Sequence, residues 1–297
     1  MKFTSKMLLP IQKVEVRYSN ITNEHYWQIL KFNVNKDDEG LNSYFEWLLQ
    51  ELIVDKNLVE TLTNVEKFLI LLDIRSVSLG DKIQMNGNKN SSLEIFLSFI
   101  KDNIINKLND LELTKISNIE KQKITFCIPK SMIIDNIDKI YKEIIDKIEI
   151  EDHLLKFFNL TEIDKNDIIS ILPAKFSAEM LDFVTYIQDI FSKINIISGN
   201  EKFGIQNIPL NVFDSTLFIF LKTIFGDDLV SFYETEFNMI YKMKFTHEHY
   251  LKMSPNECKL YVNFFNEEMK RQEEAQSKQT SPAMPTLPSM PSIPKMK

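Results

Sequence analysis

Two short polar stretches contain the residue types that most often bind metals. His247-Glu248-His249 places two imidazoles within three residues, and such a pair binds a metal when both rings share a face and further ligands converge on it. The surrounding sequence predicts helix or loop and offers no third ligand, so we expect no metal site. Asp164-Lys165-Asn166-Asp167 lacks the glycine and the terminal glutamate of a calcium loop. We predict that it begins a solvated helix.

The sequence contains none of the local signatures of common enzyme classes. It has no GxSxG turn, no Walker phosphate loop, no dinucleotide-binding glycine pattern and no zinc-ligand spacing. Cys127 and Cys258 are far apart and are predicted to be reduced, packed thiols. We therefore predict a non-enzymatic protein without a cofactor. An enzyme with an unrecognised acidic or metal site is the less favoured alternative.

Composition predicts a soluble and mainly helical protein. Of 297 residues, 44% are hydrophobic and 26% are charged, which is typical of soluble globular proteins. Six glycines are few for a turn-rich all-β fold. Nearly all cations are lysines, although nucleic-acid surfaces favour the bidentate guanidinium of arginine. Neither a signal peptide nor a membrane-length apolar run is evident. We expect a cytoplasmic protein that binds neither nucleic acid nor membrane.

Residues 63–80 are predicted to form a central buried helix. Thr63 and Glu66 have the spacing of a capping box, and the following apolar run leaves only Glu66 and Asp73 as a polar stripe. A helix with so little polar surface must be surrounded by protein. We place Arg75 in its last turn and Gly80 in the turn that ends it. The predicted structural core comprises Thr63, Glu66, Phe68, Leu69, Leu71, Leu72, Arg75 and Gly80.

The fold class predicted for the whole chain is α+β, mainly helical, with a small antiparallel sheet or hairpin in residues 1–150. Alternation of apolar and polar residues predicts strands, and helical spacing predicts helices. The predicted strands and hairpin cover residues 13–18, 83–97 and 123–128, and the predicted helices cover residues 22–30, 41–54 and 99–108. An amphipathic helix is predicted from the stripe of Ile133, Ile137, Ile140, Ile144 and Ile148.

Residues 151–276 are predicted to form a second, almost entirely helical domain. Ser254 and Glu257, with Pro255 between them, form another capping box and start the last helix. The aromatic residues of this region allow two interpretations: they fill a helical core, which is favoured, or some supply an assembly interface. They are Phe218, Phe220, Phe225, Phe232, Tyr233, Phe237 and Tyr241.

Residues 277–297 form a tail rich in proline and methionine. Proline recurs at every third position, at residues 282, 285, 288, 291 and 294, which matches the three-residue turn of a polyproline II helix. Large apolar residues then form a second ridge: Met284, Leu287, Met290, Ile293 and Met296. The tail is either a stiff disordered segment or a docking strip whose apolar ridge enters a partner's groove.

Several segments together resemble the baseplate hub subunit family of T-even-like, contractile-tailed bacteriophages. They are the Leu9-Pro10 pair before a strand ending in Arg17, FEWLLQELIVD at 45–55, LTNVEKFLILLDIRSVSLGDKI at 62–83 and KITFCIP at 123–129. KMSPNECKLYVNFFNEEMKRQ, near the end of the chain, is similar to helices of small tail-assembly proteins. Phe68 stands where this family is expected to have tyrosine.

The resemblance implies a structural or assembly protein of the tail baseplate hub. Its partners would be other phage baseplate or tail proteins, and it would be made in the cytoplasm of the infected bacterium and possess no catalytic residues. The resemblance leaves two alternatives open: a stable subunit of the virion, or a tail-assembly chaperone absent from the mature particle.

Overall fold

The fold is that of a computed structural model, which describes residues 4–86, 92–109, 111–119, 122–150, 153–198, 207–226 and 229–279. The Pro-rich docking residues Met284 to Met296 and the tip of the predicted hairpin at Gly87 lie outside these residues. Within them the chain is mainly helical α+β, as predicted.

The helices alternate with short strands along the whole chain. In the first half the helices are α1 Asn23–Asn35, α2 Asp38–Leu52, α3 Lys56–Val59, α4 Asn64–Leu79, α5 Leu97–Leu108 and α6 Ile137–Glu143. In the second half they are α7 Glu162–Ile171, α8 Ala174–Ser192, α9 Thr216–Phe225, α10 Leu229–Phe237, α11 His247–Lys252 and α12 Pro255–Gln279. A 3₁₀ turn covers Phe157–Asn159 and a π-helical turn covers Asn238–Lys242.

The strands in the described ranges form four antiparallel sheets. Three are two-stranded: β1 Thr4–Leu8 with β2 Glu15–Ser19, β3 Lys82–Asn86 with β4 Ser92–Phe96, and β9 Asn195–Ile197 with β10 Ile208–Pro209. The fourth is a four-stranded meander of β5 Lys115–Ile119, β6 Gln122–Phe126, β7 Ile145–Ile150 and β8 His153–Lys156. One face of this meander packs on α8, where the ring of Phe126 stacks against Phe176 and Phe183.

Helix α4 lies at the centre of the fold, packed against α2, α5, α9 and α12. Every residue from Leu62 to Arg75 is buried, including the two acids expected to form a polar stripe. The predicted capping box is present: Thr63 Oγ1 accepts from the amide of Glu66, and Glu66 Oε2 accepts from the amide of Thr63. Gly80 ends the helix with φ of +113°, a backbone conformation that glycine adopts readily.

Arg75 is not in the last turn of this helix, contrary to prediction, because α4 continues to Leu79. Its side chain nevertheless reaches the end of the helix, where Nη1 donates to the carbonyl of Gly80 at 2.9 Å. Nε donates at 2.7 Å to the carbonyl of Ile224, near the end of α9. Arg75 therefore ties the C-terminal ends of two packed helices together, a task for which its planar fork of donors is suited.

The predicted amphipathic helix through Ile148 is wrong beyond Glu143. Only Ile137–Glu143 is helical, and β7 begins at Ile145. Isoleucines at 144 and 148 fit a helix, but those at 148 and 150 fit a strand equally well. Because Ile is β-branched and pairing of Ile148 with Ile124 of β6 buries both side chains, the sheet prevails.

The prediction of almost pure helix after residue 150 is also incomplete. Strand β8 and the β9–β10 pair lie there, and β8 joins the sheet of the preceding segment through β7. The division into domains at residues 1–150 and 151–276 stays a prediction. Its boundary falls between β7 and β8, two strands that pair with each other.

Candidate protein-binding surfaces

The two polar stretches that could have held metals have structural partners instead. The predicted helix at Asp164 is confirmed, since Asp164 and Thr161 form the capping box of α7. His247 Nδ1 lies 2.8 Å from Glu236 Oε1, while the ring of His249 packs edge-on against Phe245. The two imidazoles thus face different neighbours. Across the described segments, no group of three or more His, Cys, Asp or Glu residues is placed to hold a metal ion.

One cavity collects three lysines and a buried thiol. It has a volume of about 400 Å³ and is lined by Lys130, Lys147, Lys156, Cys127 and Phe158, among others. Burial lowers the pKa of Lys130, whose ammonium lies 3.8 Å from the ring centroid of Phe158. Burial raises the pKa of the Cys127 thiol to about 12. At neutral pH this thiol stays protonated, and the thiolate is the nucleophile.

A row of aromatic rings crosses the outer face of α1 and α2. We call it the aromatic ladder; it comprises His25, Phe32, Tyr44 and Trp47. The rings of Tyr44 and Trp47 stack with centroids 5.2 Å apart, Phe32 lies 5.6 Å from Tyr44, and His25 meets Trp47 edge-on at 5.8 Å. Trp47 is 47% exposed. The four rings therefore form one continuous row, in which Trp47 is exposed and the other three are half-buried.

The ladder was not predicted from the sequence, although helical spacing contains its signal. His25 and Phe32 are seven residues apart, and Tyr44 and Trp47 three apart, so each pair shares a helix face. What the sequence alone does not show is that α1 and α2 place these two faces side by side.

A second group of exposed aromatics lies in the C-terminal helices. Phe237 and Tyr241 stack 5.1 Å apart at the π-helical turn, and both are more than half exposed. Tyr261 of α12 packs at 5.3 Å on Phe245, and Phe264 lies one turn further along with 62% exposure. We call Phe237, Tyr241, Tyr261 and Phe264 the C-terminal aromatic surface.

The core interpretation of the C-terminal aromatics is confirmed for some of them, whereas the interface interpretation of the others stays a prediction. Phe218, Phe220, Phe225 and Phe232 are buried, whereas Tyr233, Phe237 and Tyr241 are exposed. The buried rings pack on the central helices; Phe68 of α4, for example, lies 5.8 Å from Phe220. One helical segment therefore supplies both a core and an outer apolar surface.

Helix α12 begins at the predicted capping box and extends past the body of the protein. Ser254 and Glu257 exchange the expected hydrogen bonds, and the buried stripe includes Pro255 and Cys258. From Asn266 to Gln276 every residue is exposed. Since a helix rises 1.5 Å per residue, the end of α12 stands roughly 20 Å beyond Phe265.

Comparison with protein families decides the class of this protein. The model of a family described as T4 bacteriophage base plate protein matches residues 1–208. The chain belongs to the T4 baseplate protein family.

The matched region of this baseplate protein contains α4 and the aromatic ladder. The C-terminal aromatic surface and α12 lie beyond it. No curated protein and no solved structure matches the chain. None of the helices within the described ranges is long and apolar enough to cross a membrane.

Proposed function

We propose that this baseplate protein is a component of the central baseplate hub and acts through protein–protein contacts rather than catalysis. Family membership supports a role in the baseplate, and the resemblance of residues 45–83 to hub subunits supports the hub. The main observation that supports a role in protein–protein contacts is the C-terminal aromatic surface. Exposed, stacked rings are the residue types enriched in protein interfaces.

The buried frame around α4 fits this role. Its charged side chains are used to fix helices to one another: Lys67 Nζ lies 2.8 Å from Glu46 of α2, and Lys101 of α5 lies 2.5 Å from Asp73. Asn64 Nδ2 donates at 2.8 Å to the carbonyl of Val212 before α9. Such pairs hold α2, α5 and the segment before α9 in a fixed relation to α4. Helix α12, which carries Tyr261 and Phe264, is tied to α4 where Lys259 Nζ donates at 2.7 Å to the carbonyl of Leu79, and rigid elements give more exact binding sites than loops.

The Pro-rich tail supplies a second contact in this proposal. Its apolar ridge of Met284, Leu287, Met290, Ile293 and Met296 would enter a groove on another chain, and a pre-extended polyproline II strip loses little conformational entropy on binding. The protein would be made in the cytoplasm of the infected bacterium and would meet its partners during tail assembly.

Purification of a tagged full-length chain from infected cells tests the proposal. We expect baseplate proteins to co-purify, and we expect Phe264→Ser or Tyr241→Ser to reduce their recovery. Ile171→Ser, at an exposed site on α7, is the matched control. Recovery of no baseplate protein would contradict the proposal. Mass spectrometry of purified particles distinguishes a stable virion subunit from a tail-assembly chaperone, because a transient chaperone would be absent from mature virions.

A further inference from the structure

We propose that the aromatic ladder is the docking site for the Pro-rich tail of a second copy of this chain. The inference rests on the proposed function, because it takes the tail to be a docking strip and identifies what receives it. Residues 281–297 of one molecule would lie across His25, Phe32, Tyr44 and Trp47 of the next.

The ladder has the chemistry that a polyproline II segment requires. Such a segment makes no internal hydrogen bonds, so its carbonyls need external donors, and Pro-rich segments dock in aromatic-lined grooves. In the part of the chain that the structure describes, neither the Tyr44 hydroxyl nor the Trp47 indole N–H has a hydrogen-bond partner. These two donors belong to rings stacked 5.2 Å apart. The ladder therefore offers both apolar faces and free donors.

The tail is basic, and the ladder has both acidic and basic neighbours. Residues 281–297 contain Lys295 and Lys297 and no acidic residue. Burial raises the pKa of the Tyr44 hydroxyl, and the negative charge of Glu24 nearby raises it further. Glu24 and Glu51, on the two ladder helices, are exposed. Each of them has a lysine nearby, since the charge of Glu24 acts on Lys252 and Lys56 Nζ donates to the carbonyl of Glu51. The inference therefore rests on the aromatic faces, the free donors and the position of the tail, and not on charge.

The position of the tail favours a second molecule over the chain's own ladder. Helix α12 carries the start of the tail roughly 20 Å outward from Phe265, in a segment whose residues are all exposed from Asn266 to Gln276. A polyproline II strip of residues 281–297 would be on the order of 50 Å long and would follow on from that projecting end. Because the strip and the ladder are different surfaces, the contact is head-to-tail, and such contacts form rings or chains.

Two full-length variants with opposite defects test this inference. One carries Trp47→Ala and keeps its tail; the other keeps its ladder and has alanine in place of Pro282, Pro285, Pro288, Pro291 and Pro294. We expect the wild-type chain to self-associate with rising concentration in sedimentation velocity. Each variant alone should associate at least about tenfold more weakly, since interface aromatics and their partners often dominate affinity. Mixed together, the two should form a one-to-one pair, because each supplies the surface that the other lacks.

Further full-length variants keep the test independent of folding. Tyr44→Phe removes only a hydroxyl and should weaken association a few-fold, about the effect of one hydrogen bond. Tyr186→Ala, at an exposed tyrosine of α8, should leave association unchanged. In a Trp27→Phe background Trp47 is the single tryptophan, and its emission should change with concentration only when the tail prolines are intact.

Three results would overturn the inference. A wild-type chain that stays monomeric, or a mixture of the two variants that does not pair, would exclude the contact between copies. Emission from Trp47 that depends on the tail but not on concentration would mean that the tail binds its own ladder. If the proline variant lost its baseplate partners while Trp47→Ala kept them, the tail would dock on another protein. In that case the proposed function would stand and this inference would fail.

Discussion

The hydroxyl of Tyr18 donates a hydrogen bond to Oδ2 of Asp73, joining strand β2 to the central helix α4. The other carboxylate oxygen of Asp73 lies 2.5 Å from the ammonium of Lys101 on α5. Burial, with the charge of Asp73 as a second cause, raises the pKa of Tyr18, so the phenol stays protonated and remains a donor. The three side chains hold a strand and two helices together around one buried carboxylate.

Removing the Tyr18 hydroxyl should therefore destabilise the protein without altering its packing. Tyr18→Phe leaves one oxygen of the buried Asp73 without its donor, and an unsatisfied buried acceptor costs about 1–3 kcal/mol. Urea unfolding should show a lower midpoint with an unchanged slope. Tyr186→Phe, at an exposed position, is the matched control and should change little. Equal stability of Tyr18→Phe and wild type would mean that this hydrogen bond is not formed.

Truncation of Leu71 tests whether α4 is buried on all sides. Leu71 is fully buried among apolar neighbours, so Leu71→Ala should lower the free energy of unfolding by about 2–5 kcal/mol, through lost burial and the cavity left behind. Val77 is on the same helix but 37% exposed, and Val77→Ala should cost much less. A loss well under 1 kcal/mol for Leu71→Ala would show that the helix is not the core.

The burial of Glu66 predicts a specific pH dependence. Burial raises the pKa of this carboxyl, although hydrogen bonds from Gln12 and Thr63 oppose the shift. Because the folded-state pKa is higher than the unfolded one, the stability due to this group is fully present below the unfolded value of about 4.5. It is lost as the pH rises from there through the folded pKa.

A Glu66→Gln variant isolates this contribution, since glutamine does not titrate. We expect the stability of the wild type relative to Glu66→Gln to fall as the pH rises above about 4.5. Urea unfolding of both proteins at a series of pH values measures the difference. A difference that rises with pH over the same range would mean that hydrogen bonds to the ionised carboxylate outweigh its burial.

The sequence predicted the central helix well because several independent signals agree there. The capping box of Thr63 and Glu66, the apolar run after it and the terminal Gly80 all point to one helix with the observed limits. The sequence failed where one pattern fits two periods, as with Ile148, which has apolar neighbours at both helical and strand spacing. Tertiary pairing with β6 decides such a case, and it is not encoded locally.

Surfaces were harder to predict than the core because they depend on which helices become neighbours. Tyr44 was assigned to a helix correctly, but its stacking on Trp47 and its contact with Phe32 require α1 and α2 to lie side by side. The burial of Asp73 was missed for a related reason. Nothing local distinguishes Asp73 from a surface acid, since its partners Tyr18 and Lys101 come from distant parts of the chain.

The histidine pair allows a test of the prediction that the protein binds no metal. His247 lies beside Glu236, and His249 packs on Phe245, so the two rings do not converge on one point. We expect the purified protein to contain no stoichiometric zinc, and added zinc to leave its thermal unfolding unchanged, because an ion that bound the folded state would raise its melting temperature. A zinc-dependent rise that His247→Ala abolishes would contradict this.

Phe264 should matter for binding and not for stability, which distinguishes an interface residue from a core residue. Its side chain is 62% exposed, so Phe264→Ser removes little buried area, and most surface substitutions change stability by less than about 0.5 kcal/mol. An exposed aromatic that anchors a partner, by contrast, often contributes more than about 2 kcal/mol to binding. Phe264→Ser should therefore unfold at the same urea concentration as the wild type but recover less of its partners from infected cells. Phe225→Ser, at a fully buried ring of α9, is the control and should lose both stability and partner recovery. A loss of stability in Phe264→Ser would mean that Phe264 belongs to the core instead.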